Sequence, residues 1–176
     1  MVDARRETPV NPNTLSPIHF KFILKRSPHL NFNIQNINVP GIHAAAIDVY
    51  NPLVRVPFES HHLNFDDLLI NFLVDENMEN YLEIWEWMRK LHWPNNYQEY
   101  SELTNPALPP GEGLYSDISL IIMNSSQKAN MEINFKDSFP VSLSSMIFDV
   151  TKENVDPVEA ACTFRYTSYT IERLTV

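Results

Sequence analysis

The stretch Phe65-Asp-Asp-Leu-Leu-Ile-Asn-Phe-Leu-Val-Asp-Glu-Asn-Met-Glu-Asn-Tyr-Leu-Glu-Ile-Trp-Glu-Trp-Met-Arg-Lys-Leu-His92 changes character half-way along. Up to Val74 it is strongly apolar and strand-like. Asp75-Glu76-Asn77 punctuates it. Beyond that point Met78, Leu82, Trp85 (with Tyr81), Met88 and Leu91 recur at spacings of three and four, the apolar stripe of a helix. Glu79, Glu83 and Glu86 lie off the stripe, and acids early with Arg89-Lys90 late suit the helix dipole. Pro94 and Asn95-Asn96 end the helix. On this stripe Trp85 is expected in the core. Trp87 and Trp93, nearer the margin, are the candidates for a surface patch that docks a partner.

Upstream, Ile18, Phe20, Phe22 and Leu24 alternate with His19, Lys21 and Ile23, as in a half-buried strand, and Ser27-Pro28 breaks the run. Leu30, Phe32 and Ile34 then alternate with Asn31, Asn33 and Gln35, so a hairpin with the first strand is the natural reading. Val39-Pro40-Gly41 makes a turn. From about 41 to 64, Ala44–Val49 and Leu53–Val56 flank Asn51-Pro52, and Pro57 and His61-His62 follow. This mixture suggests a long extended arm rather than core. Residues 1–14 are polar, carry Pro9 and Pro12, and read as a flexible N-terminal arm, leaving 15–176 as one domain.

Downstream, 95–113 is loop-like, with Pro106, Pro109, Pro110, Gly111 and Gly113. Strands are expected at Tyr115–Met123, Met131–Phe135, Val141–Asp149 and Val158–Leu174. In the last, Ala160, Cys162, Phe164 and Tyr166 share one side. Asn124–Asn130 and Thr151–Asn154 read as turns. The fold class is therefore mostly β, antiparallel strands with one flanking helix.

Composition narrows the function. The 176 residues are 44% hydrophobic, enough for a real core, and three glycines exclude a phosphate-cradling or dinucleotide loop. A net charge of −9 opposes tight binding to nucleic acid but permits nucleic acid to pass without sticking. Cys162 stands alone, so neither an internal disulfide nor a multi-thiolate zinc site is expected, and the thiol reads as a buried packing residue. No apolar run reaches the roughly 20 residues of a membrane span, and the N-terminus lacks the apolar core of a signal peptide.

No catalytic constellation emerges. His61-His62 with Glu59 and Asp66 could ligate a metal, but neighbouring strand residues face opposite ways. Asp66-Asp67 diverge for the same reason, and Asp75-Glu76 sit where helix caps belong. No cofactor, metal or catalytic residue is expected. Arms and sheet edges that offer main-chain groups are the material of subunit assembly. Two weaker readings stand beside it. One is a carboxylate-dependent hydrolase of the peptidoglycan type, using Asp66, Asp67 or Glu59. The other is a ligand-binding β-sandwich using Trp87 and Trp93.

Leu15–Pro28, Ile37–Ile42, Phe65–Tyr81, Tyr81–Met88 and the closing Ala161-Cys-Thr-Phe-Arg-Tyr166 together resemble the tail-tube and tube-like baseplate proteins of contractile-tailed bacteriophages, especially those of marine cyanobacteria. The resemblance spans roughly residues 15–174. It implies a small barrel or sandwich of two antiparallel sheets with the helix outside. It further implies self-association into hexameric rings whose inner sheets join around a lumen, and an arm near 41–64 that contacts neighbours. Partners would be tube, baseplate or sheath proteins, with DNA passing through. The role implied is forming or initiating the tail tube in the virion, or else a baseplate-hub or tube-terminating ring.

Overall fold

In the first strand, β1 (Phe20–Leu24), Phe22 and Leu24 are buried while Lys21 is exposed, the alternation expected of a half-buried strand, but Ile18, read as the head of that run, lies before the strand and is exposed. The computed structural model describes residues 13–50, 52–104, 113–151 and 156–174. The expected N-terminal arm, except for residues 13–14, lies outside them, as do Pro106, Pro109, Pro110 and Gly111 of the proline-rich loop.

Along the chain follow β2 (Ile34–Asn38), β3 (Ile42–Tyr50), β4 (Arg55–Phe65), β5 (Leu68–Leu73), α1 (Glu79–His92), α2 (Tyr97–Leu103), β6 (Ser116–Met123), β7 (Ala129–Leu143), β8 (Glu159–Arg165) and β9 (Ser168–Arg173). Antiparallel pairing runs β1-β6-β7-β8-β5-β2, with β9 also on β7, while β3 and β4 form a separate two-stranded sheet. The long β7 holds the main sheet together. Its first part pairs with β6 and β9, and Phe139–Leu143 pair with β8. At the corner between these parts Asp137 adopts a left-handed φ of 55° and its N–H donates to Asp117 Oδ1 at 3.3 Å. Aspartate is among the side chains that tolerate this conformation. Across the corner the sheet folds over, and Phe22, Leu24, Ile118, Leu120, Ile133 and Phe135 meet Leu68, Ile70, Phe72, Cys162 and Phe164 in one core.

The first two strand runs do not pair as a hairpin. Leu30 and Phe32 belong to a 3-10 turn (Pro28–Phe32), β1 pairs with β6, and β2 pairs with β5. Pro28 presets φ for a helical turn, which buries Leu30 and leaves Phe32 85% exposed. The strands expected at Met131–Phe135 and Val141–Asp149 are one strand through the Asp137 corner, ending at Leu143. The strand expected over Val158–Leu174 divides at Tyr166-Thr167 into β8 and β9, where Thr167 N–H donates to Lys136 O.

There are two α-helices among the described residues. In α1 the expected stripe is rotated: Asn80, Ile84 and Trp87 are buried, whereas Trp85 is 49% and Leu82 44% exposed. Two polar bonds fix this rotation. Asn80 Nδ2 donates to Leu73 O at 2.7 Å, and Trp87 Nε1 donates to Leu114 O at 3.3 Å. The N-cap position is Met78, with a left-handed φ of 59° and no side-chain cap, rather than Asp75 or Glu76; Asp75, three residues before it, accepts from Glu79 N–H through Oδ2. The second helix falls in the expected loop. Asn96 Oδ1 accepts from Glu99 N–H, and the Glu99 carboxylate returns to Asn95 N–H and forks onto Arg89 of α1 at 3.1 and 3.2 Å. Arg89 holds the Glu99 carboxyl below the usual carboxylate range.

His29 joins the 3-10 turn to α1, with Nδ1 2.5 Å from Glu83 Oε1 and Nε2 3.4 Å from Glu79 Oε2. The Glu83 hydrogen bond and the charges of Glu83, Glu79 and Asp75 raise its pKa above 6.5. A raised folded-state value stabilises the protein fully below the unfolded pKa and loses that contribution as pH rises through the folded one. His29→Gln should therefore lower the urea midpoint in acid, near about pH 5, and leave it unchanged near about pH 9. Equal losses at both pH values would exclude an ionic contribution.

Candidate assembly surfaces

β3 (Ile42–Tyr50) and β4 (Arg55–Phe65) form a hairpin, pairing with each other from Ile42↔Phe65 out to Tyr50↔Arg55. Nine residues of β3 at about 3.3 Å each give a projection of about 30 Å. The register puts Ile47, Val49, Val56 and Phe58 on one face, exposed by 56, 49, 38 and 54%. Asp48, Tyr50, Arg55, Pro57 and Glu59 share the other, with the Arg55 guanidinium 5.3 Å from the Tyr50 ring. An isolated two-stranded hairpin is marginal in water. Four exposed apolar side chains on one face of such a hairpin are therefore material for a partner.

Its root is firmly set. Phe65 packs on Tyr166 and Tyr169 at 6.0 and 5.5 Å, and Phe135 packs on the same two tyrosines at 5.0 and 5.5 Å. The Tyr166 hydroxyl donates to Asp66 O at 2.8 Å, and the Tyr169 hydroxyl to Pro40 O at 3.3 Å. Burial pushes the Tyr166 phenol up to about 12, with Tyr169, Asp66 and Asp67 adding to it. Asp66 N–H donates to Gly41 O, and a Cβ on Gly41 would lie 2.9 Å from Asp66 Oδ2, so glycine permits the close approach. The hairpin thus leaves the barrel from the corner where β7, β8 and β9 meet.

The residues weighed for catalysis are dispersed or committed elsewhere. Asp66 Oδ2 lies 3.0 Å from His43 Nε2 and Asp67 Oδ1 accepts from Arg165 Nε at 3.0 Å, so both carboxylates serve the hairpin root. Glu59 is exposed on β4. His61 and His62 sit in an irregularity where Ser60, His61 and His62 oppose Ala45, a bulge that twists the hairpin. Among the described residues no three His, Cys, Asp or Glu side chains cluster as a metal site. Cys162 is fully buried and its thiol pKa is raised by burial.

A second apolar surface lies on α1. Trp85 and Trp93 are 49% and 77% exposed, and with Tyr81, Met88, Arg89, His92 and Leu143 they line a shallow depression of about 420 Å³. The Arg89 guanidinium stands 6.0 Å from the Trp85 ring. The expected roles of two tryptophans are therefore exchanged: Trp87 is core and Trp85 joins Trp93 on the surface.

The barrel has no catalytic cluster among its described residues, and its outlying hairpin presents an apolar face. A family model described as phage tail tube protein matches residues 11–172. The chain belongs to that family. It is 27% identical over 155 residues to the tail tube terminator protein of Enterobacteria phage T4, covering 83% of this chain and 84% of that one. In solved structures it resembles the tube-terminating cap of the anti-feeding prophage, at 14% identity and a TM-score of 0.63, over 99% of this chain and 100% of that one. It also resembles a chain in the sheath/tube terminator of the extracellular contractile injection system PVC, at 12% identity and a TM-score of 0.56, over 93% and 99% of the two chains. These structural likenesses concern the fold. The tail tube family member is a structural component of the phage tail, and not an enzyme.

Proposed function

We propose that the chain forms the ring that terminates the tail tube, rather than the ring that repeats along it. The observation that carries this reading is the kinship to the T4 terminator along 84% of that protein's length. The likeness to two terminating structures supports it. A repeating ring needs an upper surface complementary to its own lower one, so that stacking propagates, whereas a terminating ring meets different partners on its two sides. In this reading six copies close a ring, tube protein lies on one side and sheath protein is a further neighbour. DNA passes through the lumen of that ring.

The test is electron microscopy of the purified chain mixed with tail tubes. One additional ring at a single tube end, with further growth arrested, is the expected result. Tubes built from this chain alone would make it the repeating subunit. Tube growth starting from its ring would favour a baseplate-proximal role, a reading motivated by the match to a chain of the anti-feeding prophage baseplate at a TM-score of 0.59.

A further inference from the structure

Beyond the end of β7 at Leu143 the chain is pinned at one residue. Ser144 N–H donates to Ala161 O and Ala161 N–H donates to Ser144 Oγ, both at 2.8 Å. The Ser144 carbonyl accepts from the Tyr81 hydroxyl of α1 at 3.2 Å. Past this anchor Ile147, Phe148 and Val150 stand open to water, Val150 fully. Three apolar side chains within four residues are unfavourable to leave solvated.

The anchor stands at the rim of the depression on α1. Leu143, which precedes Ser144, and Tyr81, which binds it, both line that depression, with Trp85 and Trp93 exposed further along. The lengths match. Phe148 lies four residues past Ser144, about 13 Å of extended chain, and Val150 six, about 20 Å. Along α1 the distance from Tyr81 is about 10 Å to Met88 and about 18 Å to Trp93, at about 1.5 Å per residue. In an extended segment Met146, Phe148 and Val150 share one side, and Met146 is already half-buried. Asp149 is the one charge of the segment, and the rim within its reach carries Arg89 and His92.

We infer that residues 145–150 are a strap that closes over the α1 depression in the free chain, seating Phe148 and Val150 against Trp85, Met88 and Trp93. A partner of this surface must then displace the strap. The inference concerns the chain before assembly and is independent of which ring it enters. Closure removes apolar surface from water on both sides, and the short tether leaves few residues to order. A second copy carries the same residues. A segment tethered at the rim, however, has a millimolar effective concentration, so at micromolar protein it prevails by about a thousandfold.

Acrylamide quenching of tryptophan emission tests the strap in the full-length protein. Trp87 is buried with the strap open or closed and contributes a constant protected fraction. In the double variant Phe148→Gln/Val150→Gln, quenching should rise by about twofold over wild type, as two half-exposed rings lose their cover. Emission should move to longer wavelength, with the urea midpoint of the barrel unchanged, since both substituted side chains lie outside the core. Ile147→Gln, on the other side of the extended segment, should leave quenching as in wild type. Quenching unchanged in the double variant would overturn the inference, because the strap would then never touch the rings. An Ile147→Gln effect equal to that of the double variant would overturn the seating. Wild-type protection that appears only as the protein is concentrated from micromolar towards millimolar would overturn it too, by making a second copy the cover.

Discussion

Trp87→Ala should destabilise the barrel by about 3–5 kcal/mol, a large part of the roughly 5–15 kcal/mol that holds a domain folded. The indole is 2% exposed, lies 6.1 Å from the Phe164 ring and has the Arg26 guanidinium 5.0 Å over its face. Arg26 itself is held by the carbonyl of Gly113, so truncation loosens the join between α1, β1 and the chain leading into β6. It also leaves the Leu114 carbonyl without its indole donor. Trp85→Ala, two residues away on the same helix, should cost under about 1 kcal/mol, because that ring is half in water. Urea unfolding of both variants, with the slope unchanged, checks the pair. Similar losses at the two positions would mean that α1 is rotated differently about its axis.

Replacing Ile47, Val49, Val56 and Phe58 together by threonine should have the opposite signature. These side chains lie on the hairpin, whose strands pair only with each other among the described residues, so the unfolding midpoint of the monomer should barely move. Association should collapse. At about 1 kcal/mol for each half-exposed side chain that becomes buried, four amount to about 4 kcal/mol, roughly a thousandfold in the association constant. Sedimentation velocity and negative-stain microscopy read the result together. A variant that still forms rings at the wild-type concentration would show that the apolar face of the hairpin is not used in assembly.

Much of the barrel was legible because a half-buried strand writes its environment with a period of two. Phe22 and Leu24, and Ala160, Cys162 and Phe164 of the closing strand, declare their buried side and are buried, with Tyr166 of the same series half-buried; the continuous apolar run Leu68–Phe72 declares no side, and in it Leu68, Ile70 and Phe72 are buried while Leu69 is exposed. The rotation of α1 was not legible, since apolar residues at helical spacing occupy two overlapping stripes. The deciding contacts are made by Asn80 and by the indole N–H of Trp87, whose partners Leu73 and Leu114 belong to other segments. The second helix had a usable signal in Asn96-Tyr-Gln-Glu99, an N-cap with glutamate three residues later, which the surrounding prolines obscured. No local signal could have revealed the root of the hairpin, because Asp66 and Tyr166 stand 100 residues apart in the chain. The same holds for the carboxylates weighed for hydrolysis: Asp67 meets Arg165 across 98 residues, a partner that composition does not disclose.

That separation sets a schedule on the chain as it is made. The β3–β4 hairpin closes on itself locally and needs nothing synthesised after Phe65. The tyrosines that hold its base reside in and beside β8 and β9, which are made about 100 residues later. β5 and β1 likewise wait for β8 and β6, so the barrel closes late and slowly. The hairpin, the element proposed for assembly, is therefore among the first to form and the last to be aimed. Until Tyr166 and Tyr169 have been made it has no fixed bearing, and two nascent chains cannot present their hairpins in the geometry that the proposed ring requires.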